Sequence, residues 1–534
     1  MGMSVAAVPR GVMALALLLG PAAVAAGAAQ SPAVAQAKKS EPHFEVDEYR
    51  VLGNTVLGAR DIERVLYPLL GKDKSLTDVE VARTALEKLY HDHGYSTIFV
   101  DIPPQKIEDG VVRLRVTEGR IEHEQIAGAR YFSERDVIAA LPAAAPGTVL
   151  QTSKLQEELA AVNRATPDRP VVPILKAGSE PGTVDLSLQV NDTLPLHGSL
   201  ELNNQATIDT RSLRSIATLS YGDMFGVLDT LSLQYEGTPQ QIDQVRVISV
   251  NYISHPLASG LQPSLLYVNS NSTVPTAGTL GVIGIGEITG LRLAYPVPAA
   301  PSSVQTLTLG ADYKHFRNTI NQNAATALDT PISYLNLSLT YAGLWPTDWH
   351  TTTFNISANA GPRGLVNNPT AFENDRYLGH ANYFYLRADL AESLKLPWNF
   401  VLRLRAAGQG ATEPLITNEN FSIAGVDAVR GYLESEELGD KGLKETLQLT
   451  SPVWRARARA IGDVYVFFDA GHDVLIDPLP GEPGSVSLRS YGAGLDLLPG
   501  EKVTGGLTWA RALTQGSVTT AGSSRALFFL RGSF

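Results

Sequence analysis

From Leu194 to the end of the chain, apolar and polar residues alternate in short runs. Leu194, Leu196, Leu200 and Leu202 share one face of an extended segment, with His197, Ser199, Glu201 and Asn203 on the other. The same period recurs where Leu231, Leu233 and Tyr235 interleave with Ser232, Gln234 and Glu236, and where Leu402, Leu404 and Ala406 interleave with Arg403 and Arg405. Side chains of a strand point alternately to its two faces, so each run predicts a strand with one apolar and one polar surface. Turns rich in Gly, Pro, Asn and Asp separate the runs, and about sixteen strands result, an even number suited to a membrane barrel. Secreted sandwiches and solenoids share this alternation. The last run favours the barrel: Ala526, Phe528, Leu530 and Gly532 alternate with Leu527, Phe529, Arg531 and Ser533 up to Phe534, so the chain stops on an aromatic within a paired strand.

Residues 44–192 carry helical periods instead. A strand over 44–51 ends at the Gly53-Asn54 turn, and a short helix with Ile62, Val65 and Leu66 follows. Thr77 and Glu80 have the spacing of a capping box opening a helix that buries Ala82, Leu86 and Leu89 and stops at Gly94. Strands over 96–102 and 111–118 complete the unit. The order then repeats: a strand at 121–126, a capped helix at 133–141, a second helix opened by a box at Ser153 and Gln156, and strands at 171–176 and 183–190. Two copies of one five-element order predict two similar α/β domains, 44–118 and 119–192. Upstream, Arg10 precedes the apolar run 11–20 and an Ala-rich tract, a secretory signal peptide over 1–29 followed by a linker over 30–43.

Composition narrows the function. The chain has 534 residues, no cysteine and a net charge of −11, which excludes a disulfide framework and thiol chemistry and argues against nucleic-acid partners. Past the first thirty residues no apolar run is long enough for a membrane helix, and the mean hydropathy of −0.02 suits a barrel that hides its lipid face by alternation. His91, Asp92 and His93 read as a solvated helix end before Gly94 rather than metal ligands. No capped helix follows Gly281, Gly284 and Gly286, so they make no phosphate loop. Neither a catalytic group nor a cofactor or metal is expected.

Two short motifs remain. Val429-Arg430-Gly431-Tyr432 lies in a long polar stretch, and Phe467-Phe468-Asp469-Ala470-Gly471 lies in a strand whose Tyr465, Phe467 and Asp469 share the face opposite Val464, Val466 and Phe468. In a barrel with apolar residues toward lipid, Asp469 points into the lumen, where a folded-in loop can offer Arg430 as counter-ion.

With these motifs, the Asn-Arg-x-x-Pro-Asp-Arg and Pro-Gly-Thr-Val-Asp elements within 163–185, and Phe421-Ser422-Ile423-Ala424-Gly425, nearly the whole mature chain resembles the outer-membrane transporters of two-partner secretion systems. These are the TpsB type, related to hemolysin-secretion and filamentous-adhesin transporters. The resemblance implies a membrane β-barrel of about sixteen antiparallel strands over 193–534, preceded by two periplasmic α/β POTRA domains. It also implies that the loop after strand eleven, 413–442, folds into the lumen and that Arg430 meets Asp469 on strand thirteen. Val429, Arg430, Gly431, Tyr432, Phe467, Asp469 and Gly471 then form a latch between loop and barrel, and Phe534 is the signal for assembly. Implied partners are a secreted exoprotein cargo, the barrel-assembly machinery, periplasmic chaperones and outer-membrane lipid. An insertase that assembles other barrels shares the loop motif and is the alternative, though that class usually carries more POTRA domains. Some relatives plug the pore with a long helix before the first POTRA domain. The roughly fifteen residues left here at 1.5 Å each are too few to span a barrel and leave a linker, so no such plug, or a rudimentary one, is expected. Cargo is expected to add a strand along a groove between the 77–93 helix and the 111–116 strand.

Overall fold

The computed structural model describes residues 42–271, 284–300, 302–323, 326–456, 459–497 and 502–534. The expected signal peptide at 1–29, most of the expected linker at 30–43, and Gly281 lie outside the described residues. The chain forms two compact units that divide at Leu194 and Pro195.

In the first unit, β1 (Phe44–Val46) and β2 (Glu48–Leu52) lead into α1 (Ala59–Leu66), β3 (Gly71–Lys74), α2 (Leu76–Asp92), β4 (Phe99–Asp101) and β5 (Val111–Thr117). A second module repeats the order without counterparts of β1 and β3, as β6 (Arg120–Ala127), α3 (Glu134–Ala139), α4 (Thr152–Ala165), β7 (Val171–Ala177) and β8 (Thr183–Val190). Each module has its own core. Leu86, Tyr90, Val112 and Leu114 are buried in the first, and Val137, Leu155, Leu186 and Leu188 in the second.

The helix starts differ from the sequence expectation. Strand β3, missed in the sequence, pairs with β1 as far as Lys74, so the helix begins at once and Ser75 is its cap. Ser75 Oγ accepts the Asp78 amide and Asp78 Oδ2 accepts the Ser75 amide at 2.8 Å, so Thr77 and Glu80 do not form the box. Nor does Ser153 cap α4. The Thr152 amide and hydroxyl both donate to the Gly94 carbonyl, each at 2.8 Å, spending the helix start on the seam between the modules. Gly94 has φ +85°, and a Cβ there would lie 2.0 Å from Ser153 Oγ, so this close approach requires glycine. Strand β4 is shorter than expected because Ile98 turns back to donate to the Tyr95 carbonyl.

Strand order decides where another chain could pair. The sheets run β2-β5-β4 and β6-β8-β7, so β5 is central: β2 pairs along 111–115, β4 along 115–117, and on the β4 side the Gln105 side chain takes both the amide and the carbonyl of Arg113 at 2.8 Å. The groove expected along 111–116 is therefore closed to strand addition. The helix-side edges are blocked as well. At Val100 on β4, Glu87 accepts the amide at 3.2 Å and Arg83 donates to the carbonyl at 3.3 Å. At Val171 on β7, Asn163 makes the same two-way clasp at 2.7 and 3.0 Å, and Pro173 offers no amide.

The second unit is a closed antiparallel barrel. Its strands in order are Leu196–Asn203, Arg214–Gly222, Thr230–Gly237, Arg246–Ile253, Gln262–Ser270, Gly286–Pro296, Val304–Asn323, Thr326–Pro346, His350–Ala360, Phe384–Lys395, Val401–Ala411, Lys441–Thr450, Arg459–Val474, Ser485–Leu497, Val503–Ala512 and Ser524–Ser533. The short Trp454–Ala456 segment only prolongs the twelfth strand along the thirteenth, which leaves sixteen strands. The sixteenth pairs with the first, and the Phe534 amide and carbonyl exchange bonds with Gly198 at 3.0 and 3.2 Å. Closure of this kind removes the free edges by which a sheet recruits other chains. Alternation has the expected sense: Val464, Val466 and Phe468 are exposed outward, whereas Tyr465, Phe467 and Asp469 are buried inward. Turns at one end are short, as at 347–349 and 396–400. Connections at the other are long, as at 361–383 and 412–440.

Truncating the fully buried Leu86 to Ala is expected to cost the first module about 2–5 kcal/mol, the usual penalty for a core cavity. Denaturant unfolding tracked by proteolysis of residues 44–118 measures it, while the barrel keeps its heat-modifiable mobility on gels. An unshifted midpoint would refute this account of the core.

Candidate functional site

The connection 412–440 between the eleventh and twelfth strands turns into the lumen; it starts one residue earlier than the expected 413–442 and gives 441–442 to the start of strand twelve. Its limbs pair where Phe421–Ser422 meets Leu438–Gly439. The tip comprises residues 423–432, with Ile423, Ala424, Val429 and Tyr432 buried against Leu488 and Ala512 of the wall.

At the tip, Arg430 Nε donates to Asp469 Oδ2 and Nη2 to Oδ1, both at 2.8 Å, a two-pronged pair reinforced by the Arg430 amide at 3.1 Å. Arg430 Nη1 reaches Gln448 Oε1 on strand twelve at 3.0 Å. The guanidinium carbon lies 3.4 Å from the centre of the Phe467 ring. Asp469 is fully buried, so its charge is stabilised by these partners rather than by water. A planar fork suits this site as a lysine ammonium would not.

The neighbours of the pair follow from its geometry. Gly431 has φ +101°, a conformation that carries the chain past Arg430 at little cost only for glycine. A Cβ on Gly471 would come within 2.9 Å of Val429 Cγ2 and 3.0 Å of Ile423 Cβ, so this inward glycine gives the loop its seat. Tyr432 donates its hydroxyl to the Thr514 carbonyl at 2.8 Å, tying the tip to the connection between the last two strands. The structure thus assembles Val429, Arg430, Gly431, Tyr432, Phe467, Asp469 and Gly471 into one site. Phe534 stands apart, its ring laid over Gly198 at the barrel seam.

Several contributors were not read from the sequence. Gln448 lies on a strand with ordinary alternation and gave no signal. The acidic run 434–440 resembles a solvated surface, yet Glu434, Glu436, Glu437 and Asp440 are buried. They accept backbone amides: Glu434 that of Val426 at 2.8 Å, Glu436 those of Val518 and Thr519 at 3.0 and 2.6 Å, and Asp440 those of Leu415 and Ile476 at 2.8 and 2.7 Å. Glu122, His123 and Asp185 of the second module converge within 4.8 Å. The Ser179 and Thr183 hydroxyls occupy the Glu122 carboxylate and hold it down at about 2, so its oxygens are already spoken for. His91, Asp92 and His93 lie exposed at the end of α2.

Comparison with known proteins agrees with this architecture. The model of the haemolysin secretion/activation protein family ShlB/FhaC/HecB matches residues 182–495, and that of the ShlB-type POTRA domain matches 44–119. The heme/hemopexin transporter protein HuxB of Haemophilus influenzae is 22% identical over 503 residues, covering 88% of this chain and 83% of that protein. Among solved structures, CdiB from Escherichia coli superposes with a TM-score of 0.61 at 18% identity, covering 94% of this chain and 93% of its own. BamA from Haemophilus ducreyi lacking POTRA domains 1–3 gives 0.58 at 13% identity, with 92% and 100% covered.

Removing one partner of a buried ion pair costs about 3–5 kcal/mol because the other charge is stranded. Asp469→Asn is therefore expected to free the tip, making residues 423–432 accessible to added protease while the barrel remains folded on gels. Equal protease resistance in the variant and the parent would show that the pair does not hold the loop.

Proposed function

The chain belongs to the haemolysin secretion/activation family ShlB/FhaC/HecB, the outer-membrane transporters of two-partner secretion, and from that premise we propose that the loop 412–440 is the gate through which it passes an unfolded exoprotein. The observation that carries this reading is the Arg430–Asp469 pair: one buried, two-pronged contact holds the tip of a loop that lies inside a polar conduit. The contact can be broken without breaking a barrel strand.

The modules lie in the periplasm, so the first barrel strand, which follows them directly, rises from the periplasmic side. The long connections, including 412–440, then face the outside, the usual asymmetry of such barrels. Cargo meets the modules first. We take the second module, like the first, to be a POTRA domain, on its repeated element order. In the two three-stranded sheets, the clasps at Val100 and Val171 leave β2 and residues 122–127 of β6 as the opposite edges, and a cargo strand is placed there in this reading. The extended chain then threads the lumen past the displaced loop. No nucleotide motif is present in the sequence, so in this reading folding of the cargo outside draws the chain forward. Chaperones and the barrel-assembly machinery act earlier, bringing the transporter itself to the membrane. The barrel likeness to BamA is a likeness of fold, and the family match over 182–495 favours secretion over insertion of other barrels.

Arg430→Ala and Asp469→Ala are each expected to leave barrel assembly largely intact and to lower the amount of cognate exoprotein in the medium. Quantitative blotting of secreted against periplasmic exoprotein reads the effect. Normal secretion by both variants would reject the gate.

A further inference from the structure

The latch fastens only the tip. The loop's stem is held by a second buried network on strands seven, eight, ten and eleven, built on Glu419, the last residue of the short 3-10 turn Thr417–Glu419. Its carboxylate accepts Lys314 Nζ of strand seven at 2.5 Å, the Tyr334 hydroxyl of strand eight at 2.6 Å and the Tyr385 hydroxyl of strand ten at 2.6 Å. Its carbonyl accepts Arg387 at 2.9 Å and Gln409 at 3.2 Å. Glu419 is 1% exposed and Lys314 6%, so neither charge is stabilised by bulk water.

This pocket is roofed by a second long connection. Helix α5 (Pro369–Asp375), between strands nine and ten, sets Phe372 edge-on against Tyr334 at 5.6 Å, and Tyr383 packs on Phe372 at 5.9 Å. Where the loop leaves the lumen, Asp440 accepts the Leu415 and Ile476 amides, and Arg376 of the 361–383 connection lies 3.8 Å from it. Two limbs, three connections and four strands thus meet around the stem. The tip carries one ion pair to the wall, beside the Tyr432 bond to Thr514 and apolar packing on Leu488 and Ala512.

We propose that Glu419 is a second anchor and the pivot of the loop, a positioning residue that keeps the stem on strands seven, eight and ten while the tip swings away from Asp469. The loop then behaves as a strut across the lumen with a releasable foot at Arg430 and a fixed foot at Glu419. A tip-only release opens part of the lumen, and full clearance requires both feet to detach. This inference rests on the gate reading above, but its test needs no cargo.

The chain contains no cysteine, so Ala424→Cys serves as a single reporter in the full-length protein. Labelling by a membrane-impermeant maleimide and conductance in planar bilayers are measured together. The double substitution Lys314→Met/Glu419→Gln removes the ion pair without leaving either charge buried alone, which protects folding. Arg430→Ala is expected to expose the reporter and raise resting conductance to an intermediate level. Adding Lys314→Met/Glu419→Gln to Arg430→Ala is expected to raise conductance further and speed labelling by about tenfold. If the combined variant, with heat-modifiability intact, labels and conducts as Arg430→Ala alone does, Glu419 is not an anchor. If Lys314→Met/Glu419→Gln by itself releases the tip as fully as Arg430→Ala does, the pivot is equally overturned. Failure of the secretion reading would show separately, as absence of exoprotein transport by the parent protein.

Discussion

A carboxylate with no access to water sets the terms for the lumen. Asp469 is fully buried on the inner wall, and a charge in that position is tolerable only with a counter-ion and hydrogen bonds at close range. The wall itself offers Gln448, but Gln448 is used to support Arg430. The counter-ion therefore comes from a loop, and the loop has to be shaped to deliver it. Gly431 takes the backbone past the arginine, Gly471 clears the space for Val429, and Phe467 provides a flat floor for the guanidinium. One electrostatic requirement on strand thirteen thus accounts for residues scattered over the loop and the wall.

The barrel makes that requirement possible because closure leaves every strand with two neighbours. With Phe534 bonded to Gly198, the sixteenth strand pairs with the first over 529–533 and closes the barrel. Alternation then sorts the side chains. Leucines and valines face the acyl chains, while Glu201, Lys314, Gln409 and Asp469 face inward. An interior lined with such groups is polar enough to pass an extended polypeptide, and equally able to bind its own loop at two places. The resting state and the transport path use the same chemistry. Glu419 and Arg430 occupy inner-wall sites that would otherwise offer their hydrogen bonds to solvent or cargo.

In the modules, the two clasps show sheet edges managed by side chains. Glu87 with Arg83, and Asn163 alone, each reproduce the pattern of a neighbouring strand at a single residue. This keeps the helix-side edges from pairing indiscriminately in a compartment crowded with unfolded proteins. It also directs any β-addition to the opposite edges.

The sequence by itself determined the barrel, its strand number, the sense of its alternation and the two repeated modules, because a period of two residues and an apolar helix face are local properties. Arg430 and Asp469 were also legible, one through its motif and the other through the face it occupies. Contacts between distant residues were not. Ser75 rather than Thr77 caps α2 because β3 pairs with β1, and Thr152 rather than Ser153 matters at α4 because Gly94 of the other module lies against it. The central place of β5, which closes the expected groove, is a matter of strand order and has no local signature. Glu419 and the run 434–440 look like ordinary surface acids. Only the folded loop, by excluding water and surrounding them with donors from several strands and connections, turns these carboxylates into anchors.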